Sequence, residues 1–144
     1  MDWSFFNPVK VYLLDSAGFR QRLISRFQGN RLALFASLRC VKDYGLEDAL
    51  SMWMKQDGFI WIHDTPGHPT FESIYGALAC MGEARPDVIV AIGGGSVIDT
   101  AKAVSAMAGA RWPLTLEQFT QAVITKEYLE HKTGIPVIAV PTTA

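Results

Sequence analysis

Residues 87–102, Asp-Val-Ile-Val-Ala-Ile-Gly-Gly-Gly-Ser-Val-Ile-Asp-Thr-Ala-Lys, constrain the fold of this chain more than any other stretch. The unbroken, β-branched apolar run over 87–92 suits a strand buried on both faces, and such strands belong to parallel sheets covered by helices. Gly93, Gly94 and Gly95 follow at once, and a helix is predicted from Ser96 to about Ala108. A strand passing through glycine straight into a helix brings free N–H groups and the positive end of the helix dipole to the carboxyl edge of the sheet. Glycine permits unusual φ there and removes the Cβ that would hold a phosphate away. A tight turn alone does not require three successive glycines, each of which gives up backbone entropy on folding. The stretch therefore predicts an anion site of phosphate type.

Two familiar phosphate motifs are excluded by spacing. Gly-x-Gly-x-x-Gly would need a glycine at or near Ile98 and normally opens the first strand–helix unit, whereas these glycines follow the fourth predicted strand. A nucleoside-triphosphate loop would end in Gly-Lys-Ser/Thr, which is absent. Ser96 and Asp99 have the spacing of a capping-box variant. Asp99 can also point away from a bound phosphate toward the rest of a nucleotide. Lys102, one turn on, reads as a solvated lysine within reach of a phosphate. Ala101, Ala103, Ala106 and Ala108 keep this helix slim enough to lie close to a sheet.

The remaining chain alternates short apolar runs with amphipathic stretches. Residues 9–14 (Val-Lys-Val-Tyr-Leu-Leu) read as a first strand. Ser16 is placed to cap a helix with Phe19, Leu23 and Phe27 on one face and Arg20, Arg22 and Arg26 in solvent, ended by Gln28-Gly29-Asn30. Residues 31–37 form a second strand, and a helix from about Tyr44 turns Leu46, Leu50, Trp53 and Met54 inward. Residues 59–62 make a third strand, running into a loop over 63–69, His-Asp-Thr-Pro-Gly-His-Pro. Thr70 caps the next helix, which buries Phe71, Ile74, Tyr75, Leu78 and Met81. Thr115 and Gln118 make a capping box for a helix to about Leu129. Residues 135–140 are the last strand, with Pro136 tolerated only near its start or at an edge. Five strands alternating with helices predict an α/β fold in one domain over 1–144, a doubly wound, mostly parallel sheet with helices on both faces.

Composition narrows the class. Thirteen basic against fourteen acidic residues give a net charge of −1, which argues against a nucleic-acid footprint and against a polybasic membrane anchor. No run approaches the roughly 18 apolar residues of a membrane span, and the N-terminus lacks the pattern of a secretory signal. Cys40 and Cys80 are too few for a disulfide framework or a zinc pair, and their apolar contexts predict buried, reduced thiols. A cytoplasmic protein is expected. His63, Asp64 and His68 are residue types that suit zinc or iron, but Pro66, Gly67 and Pro69 leave no regular element to fix a metal geometry. Polar loop residues describe them better.

Three blocks, in order, resemble a known family. They are the 63–70 loop ending in Pro-Thr, the 87–103 strand, glycine turn and helix, and 135–144, Ile-Pro-Val-Ile-Ala-Val-Pro-Thr-Thr-Ala. Together they are similar to the iron-containing (group III) alcohol dehydrogenases, whose relatives include glycerol dehydrogenase and dehydroquinate synthase. The second block is highly specific, and the third matches the opening of a longer family signature. The resemblance covers essentially the whole chain and implies the family's N-terminal cofactor domain, Rossmann-like and dehydroquinate synthase-like.

The resemblance implies specific roles. Gly93, Gly94, Gly95 and Ser96 correspond to the pyrophosphate-binding segment, and Asp99 to an acid near the nicotinamide end. Thr142 and Thr143 match threonines lining the cofactor groove beside the adenine and pyrophosphate. Ser37 aligns with a residue that is Asp in NAD-preferring members and contacts the adenosine ribose. A carboxylate there accepts from the 2′-hydroxyl and repels a 2′-phosphate, so serine admits NADP as well as NAD. His68 stands where many members have Asn before Pro-Thr. The implied activity is NAD(P)-dependent alcohol oxidation or aldehyde reduction on a small-molecule substrate, with Fe²⁺ or Zn²⁺ as Lewis acid. The family's metal ligands, an Asp and three His, belong to a helical C-terminal domain expected outside these 144 residues, which alone should catalyse nothing. A homo-oligomer is compatible with this. A lyase or glycerol-oxidising relative, and a noncatalytic nucleotide-binding module, are the alternatives.

Overall fold

The computed structural model describes residues 9–27, 29–82, 85–108, 115–130 and 134–142. Helix α1 (Ser16–Arg26) leads into β1 (Leu32–Phe35). Two short helices, α2 (Leu38–Asp43) and α3 (Glu47–Trp53), precede β2 (Ile60–Ile62). Helix α4 (Phe71–Met81), β3 (Val88–Gly93) and α5 (Gly95–Met107) follow. Helix α6 (Leu116–Ile124), a 3₁₀ turn (Glu127–Leu129) and β4 (Val137–Pro141) complete the order. The four strands are all parallel, in the order β2-β1-β3-β4. This is the predicted α/β architecture, because parallel neighbours need crossovers and the crossovers are the helices.

Alternation along the central strands divides the core into two. Ala33, Phe35, Ile89 and Ala91 face α4, α5 and α6, where Leu78, Val104 and Phe119 meet them. Leu32, Leu34, Val90 and Ile92 face α1, α2 and α3, where Leu23, Phe27, Val41, Leu46 and Trp53 close the other side. The predicted faces of α1 and α3 are thus the buried ones, and Phe27 meets Trp53 edge to face at 5.9 Å. At the amino edge, Asp87 accepts from the Arg31 backbone at 2.9 Å and from its guanidinium at 3.1 Å, while the Asp87 N–H donates to the Arg31 carbonyl at 2.8 Å. Hydrogen bonds from Arg31 hold the Asp87 carboxyl below the usual carboxylate range.

Several expectations are corrected. Residues 9–14 form no strand: Val9, Val11 and Leu13 are exposed, Leu13 by 96%, and an apolar pattern makes a strand only where a neighbour and a buried face receive it. Tyr12 instead lies under the Arg22 guanidinium, 3.7 Å from its ring centre. Asp15, not Ser16, caps α1, accepting from the Gly18 N–H at 2.7 Å. The helix expected from about Tyr44 is α3, which begins only at Glu47 because Gly45 takes φ 61°, and a short helix that was not expected, α2, precedes it. Met54 lies beyond α3 and is exposed, and Phe71, at the start of α4, is also exposed. The last helix stops at Ile124, since Lys126 adopts the left-handed region at φ 59°. Neither thiol is deeply buried: Cys40 is half-buried and Cys80 exposed, both free. Pro136 falls just outside β4, and its carbonyl accepts from the Ile89 N–H at 2.9 Å. Pro141 closes β4, an edge strand that tolerates a missing donor.

Candidate functional site

The strand order fixes where a ligand can sit. From β1 the chain steps outward to β2, then returns across β1 to β3 and on to β4, so the direction of winding reverses between β1 and β3. In open parallel sheets the crevice at the carboxyl ends of two such strands is where ligands bind. Phe35 pairs with Ala91, and two residues further on Ser37 and Gly93 leave the two strands at the same level. Gly93 also pairs with Pro141, and the Thr142 N–H donates to the Gly93 carbonyl at 3.0 Å. Ser37, the glycine turn and Thr142 therefore share one edge. Thr143 lies outside the described residues.

The glycines serve space, not unusual dihedrals. Gly93, Gly94 and Gly95 all avoid positive φ, and Gly94 is extended at φ −74°, ψ −177°. This corrects one of the two reasons for glycine given above. A Cβ on Gly93 would lie 2.7 Å from Val97 Cγ2 and 2.8 Å from Val97 Cβ, so glycine is what lets α5 start this close to β3. A Cβ on Gly95 would meet nothing within 4 Å. That open space lies over the first turn of α5.

The donors there are uncommitted within the helix. The first intrahelical bond runs from the Ile98 N–H to the Gly94 carbonyl at 3.2 Å, which leaves the N–H groups of Gly95, Ser96 and Val97 without helical acceptors. Asp15, Ser37, Thr70 and Thr115 each put a side-chain oxygen on the first turn of α1, α2, α4 and α6. Gly94, the N-cap of α5, has no side chain to offer. The helix that opens onto the crevice thus has a positive dipole end and first-turn donors that its own cap does not satisfy.

The Ser96–Asp99 capping box does not form. Ser96 sits inside the first turn, not at the N-cap, and its hydroxyl donates to the Gly67 carbonyl. Asp99 is exposed and pairs with Lys102 at 3.3 Å, one turn along the same helix. Thr100, which is buried, donates to the Ser96 carbonyl at 2.8 Å and steadies the first turn from behind. Ser37 is half-buried, and its hydroxyl oxygen accepts from the Cys40 N–H at 3.2 Å as the cap of α2.

The loop over 63–69 joins this edge through Ser96. His63, Asp64 and His68 are exposed, and the His63 ring lies 5.2 Å from that of Trp61. Trp61 donates its indole N–H to the Ala36 carbonyl at 2.9 Å, beside Ser37. Sequence reasoning missed Trp61 and the Gly67 carbonyl. The first is one aromatic among several in strand-like runs, and the second is a backbone group that no residue type announces. Among the described residues no three His, Cys, Asp or Glu side chains come together as a metal-ligand cluster. The side-chain-free N-cap of α5 leaves three backbone donors of the kind that pair with an anion. A shallow concavity of about 430 Å³ lies farther along α5, lined by Lys102, Ser105, Tyr128 and Gly134 among others. Its Ser105 hydroxyl is already spent on the Ile135 carbonyl, at 2.5 Å.

Comparison with known proteins gives a consistent picture. The family described as iron-containing alcohol dehydrogenase matches residues 15–144. A Salmonella typhimurium protein named "Probable alcohol dehydrogenase EutG" is 40% identical over 79 residues, covering 55% of this chain and 18% of that protein. A Bacillus subtilis protein named "Probable NADH-dependent butanol dehydrogenase 2" is 28% identical over 110 residues, 73% of this chain and 27% of that one. The crystal structure of an iron-containing alcohol dehydrogenase from Thermotoga maritima superposes with a TM-score of 0.70 at 24% identity, covering 99% of this chain and 38% of that chain. The chain spans less than a third of the length of either of the two sequence relatives.

Proposed function

The chain belongs to the iron-containing alcohol dehydrogenase family, and on that footing we propose that it forms the dinucleotide-binding part of an NAD(P)-dependent alcohol dehydrogenase or aldehyde reductase. The observation that carries this reading is the N-terminus of α5: three N–H groups without helical acceptors, a cap with no side chain, and open space over Gly95, all at the winding reversal of the sheet. In this reading the N–H groups of Gly95, Ser96 and Val97 hold the pyrophosphate. Gly93 sets the height of that turn above β3. Ser37 and the carboxyl end of β1 receive the adenosine ribose, Thr142 flanks the groove, and His68 reaches it from the 63–69 loop. Asp99 is assigned to the nicotinamide side. Its exposure leaves it free to turn there, since the surface pair with Lys102 is worth little.

When bound, the nicotinamide supplies hydride transfer to or from the substrate carbon. This chain's contribution is to fix the cofactor's phosphates so that the ring is held in one place, which lowers the entropic cost of reaching the reactive geometry. The metal that the family name implies is assigned no ligand here, and small alcohols or aldehydes are the proposed substrates. Titration of the chain with NADH and NADPH, followed by nicotinamide fluorescence and tryptophan quenching, tests the reading. Saturable binding that inorganic pyrophosphate competes away is expected. Absence of binding to both dinucleotides and to pyrophosphate would refute it.

A further inference from the structure

Resting on the reading just given, we propose that the Ser96 side chain is a positioning residue that fastens the 63–69 loop onto the phosphate turn, while only its backbone N–H serves the phosphate. The loop runs for seven residues between two fixed ends. One end is β2, held by pairing with β1. The other is Thr70, locked by the reciprocal bonds Thr70 N–H to Ser73 Oγ at 2.9 Å and Ser73 N–H to Thr70 Oγ1 at 3.1 Å. Between them Asp64, Pro66, Gly67, His68 and Pro69 are all exposed. Such a segment has little apolar burial to hold it, and its order depends on individual hydrogen bonds. The Ser96 hydroxyl supplies one at mid-loop, on the Gly67 carbonyl.

A serine hydroxyl has one proton to donate. Spent on Gly67, it is unavailable to a phosphate oxygen, so the phosphate must be bound by the three N–H groups. The donor is well placed to act as an anchor, because the buried Thr100 fixes the Ser96 carbonyl one turn below. Gly67 lies next to His68 in the loop, so the tether sets where His68 sits relative to the glycine turn. The loop thereby becomes one wall of the groove, contacting the part of a dinucleotide beyond its phosphates.

The experiment is Ser96→Ala and Ser96→Thr in this chain, with two readouts. The first, free of any ligand, is amide hydrogen exchange across residues 63–70: faster exchange in Ser96→Ala, restored in Ser96→Thr, is expected. The second compares inorganic pyrophosphate with NADH or NADPH. Ser96→Ala keeps the backbone donors, so pyrophosphate affinity should stay within about twofold, whereas dinucleotide affinity should fall about 3- to 10-fold, the range of one neutral hydrogen bond. Unchanged exchange in Ser96→Ala would overturn the tether. Equal losses for pyrophosphate and dinucleotide would overturn it too, by showing a direct phosphate contact. If the unmodified chain binds neither ligand, the proposed function fails, and the exchange measurement still decides the tether.

Discussion

Alanine at Gly95 should raise stability and weaken binding at once, a combination that ordinary core or surface changes do not produce. Gly95 is the first residue of α5, its φ is not in the left-handed region, and a Cβ there meets no atom within 4 Å. Replacing a helical glycine without strain chiefly restricts the unfolded chain and stabilises by about 0.4–1 kcal/mol. For 144 residues the unfolding entropy is about 0.3 kcal/mol per degree, so 0.5 kcal/mol corresponds to a Tm rise of about 2 °C. The same Cβ would occupy the space through which a phosphate reaches the N–H groups of Gly95, Ser96 and Val97. Forcing the phosphate off one charge-assisted hydrogen bond costs about 1.5–3 kcal/mol, or roughly 10- to 150-fold in affinity. Scanning calorimetry and dinucleotide titration on the same preparation check both halves. A variant that binds as tightly as the parent would show that the phosphate does not approach over Gly95. A lowered Tm would show that the space is not open.

Gly93→Ala should do the reverse. Its Cβ would press on the stiff, β-branched Val97 at 2.7–2.8 Å, and overpacking of this kind costs about 1–3 kcal/mol; an unchanged urea midpoint would contradict it. Ser37→Asp keeps a good helix cap for α2 while placing a carboxylate beside the expected ribose. The NADPH-to-NADH affinity ratio should fall at least fivefold, from about 1 kcal/mol of like-charge repulsion, and an unchanged ratio would remove Ser37 from the cofactor site. Asp87→Asn should flatten the acid limb of stability. Because Arg31 depresses the folded pKa of Asp87, its contribution is present above the unfolded carboxylate value of about 3.9 and is lost as pH falls through the folded value. Melting curves of parent and variant should therefore diverge at pH 7 and converge toward pH 2, and parallel curves would refute the assignment.

Legibility differed among the elements for physical reasons. The strand and helix of the 87–102 stretch were legible because two strong local signals coincide there, a doubly buried apolar run and a glycine turn. The cap at Thr70 and the capping box at Thr115 were legible because a cap and the first-turn group it bonds lie three residues apart, although the reciprocal bond from Ser73 was not foreseen. Residues 9–14 misled because strand formation depends on a neighbour that sequence does not display. Helix α2 was missed because Ser37, its cap, was read as the end of a strand, and the left-handed φ of Gly45 that delays α3 emerges only in the folded chain. At the site, the glycine turn was visible, but the purpose of each glycine was not.

The sequence by itself determined the layered α/β class, the glycine turn that runs from a strand into a helix and the family, since each rests on contiguous residues whose backbone chemistry is local. Only the tertiary structure decided that Gly93 serves packing against Val97 while Gly95 leaves open space, that Ser96 holds Gly67 instead of capping α5, and that Ser37 and Thr142 share an edge with both. Those facts join residues up to about a hundred positions apart, and chain separation carries no record of which strand ends the folding of a parallel sheet will set side by side.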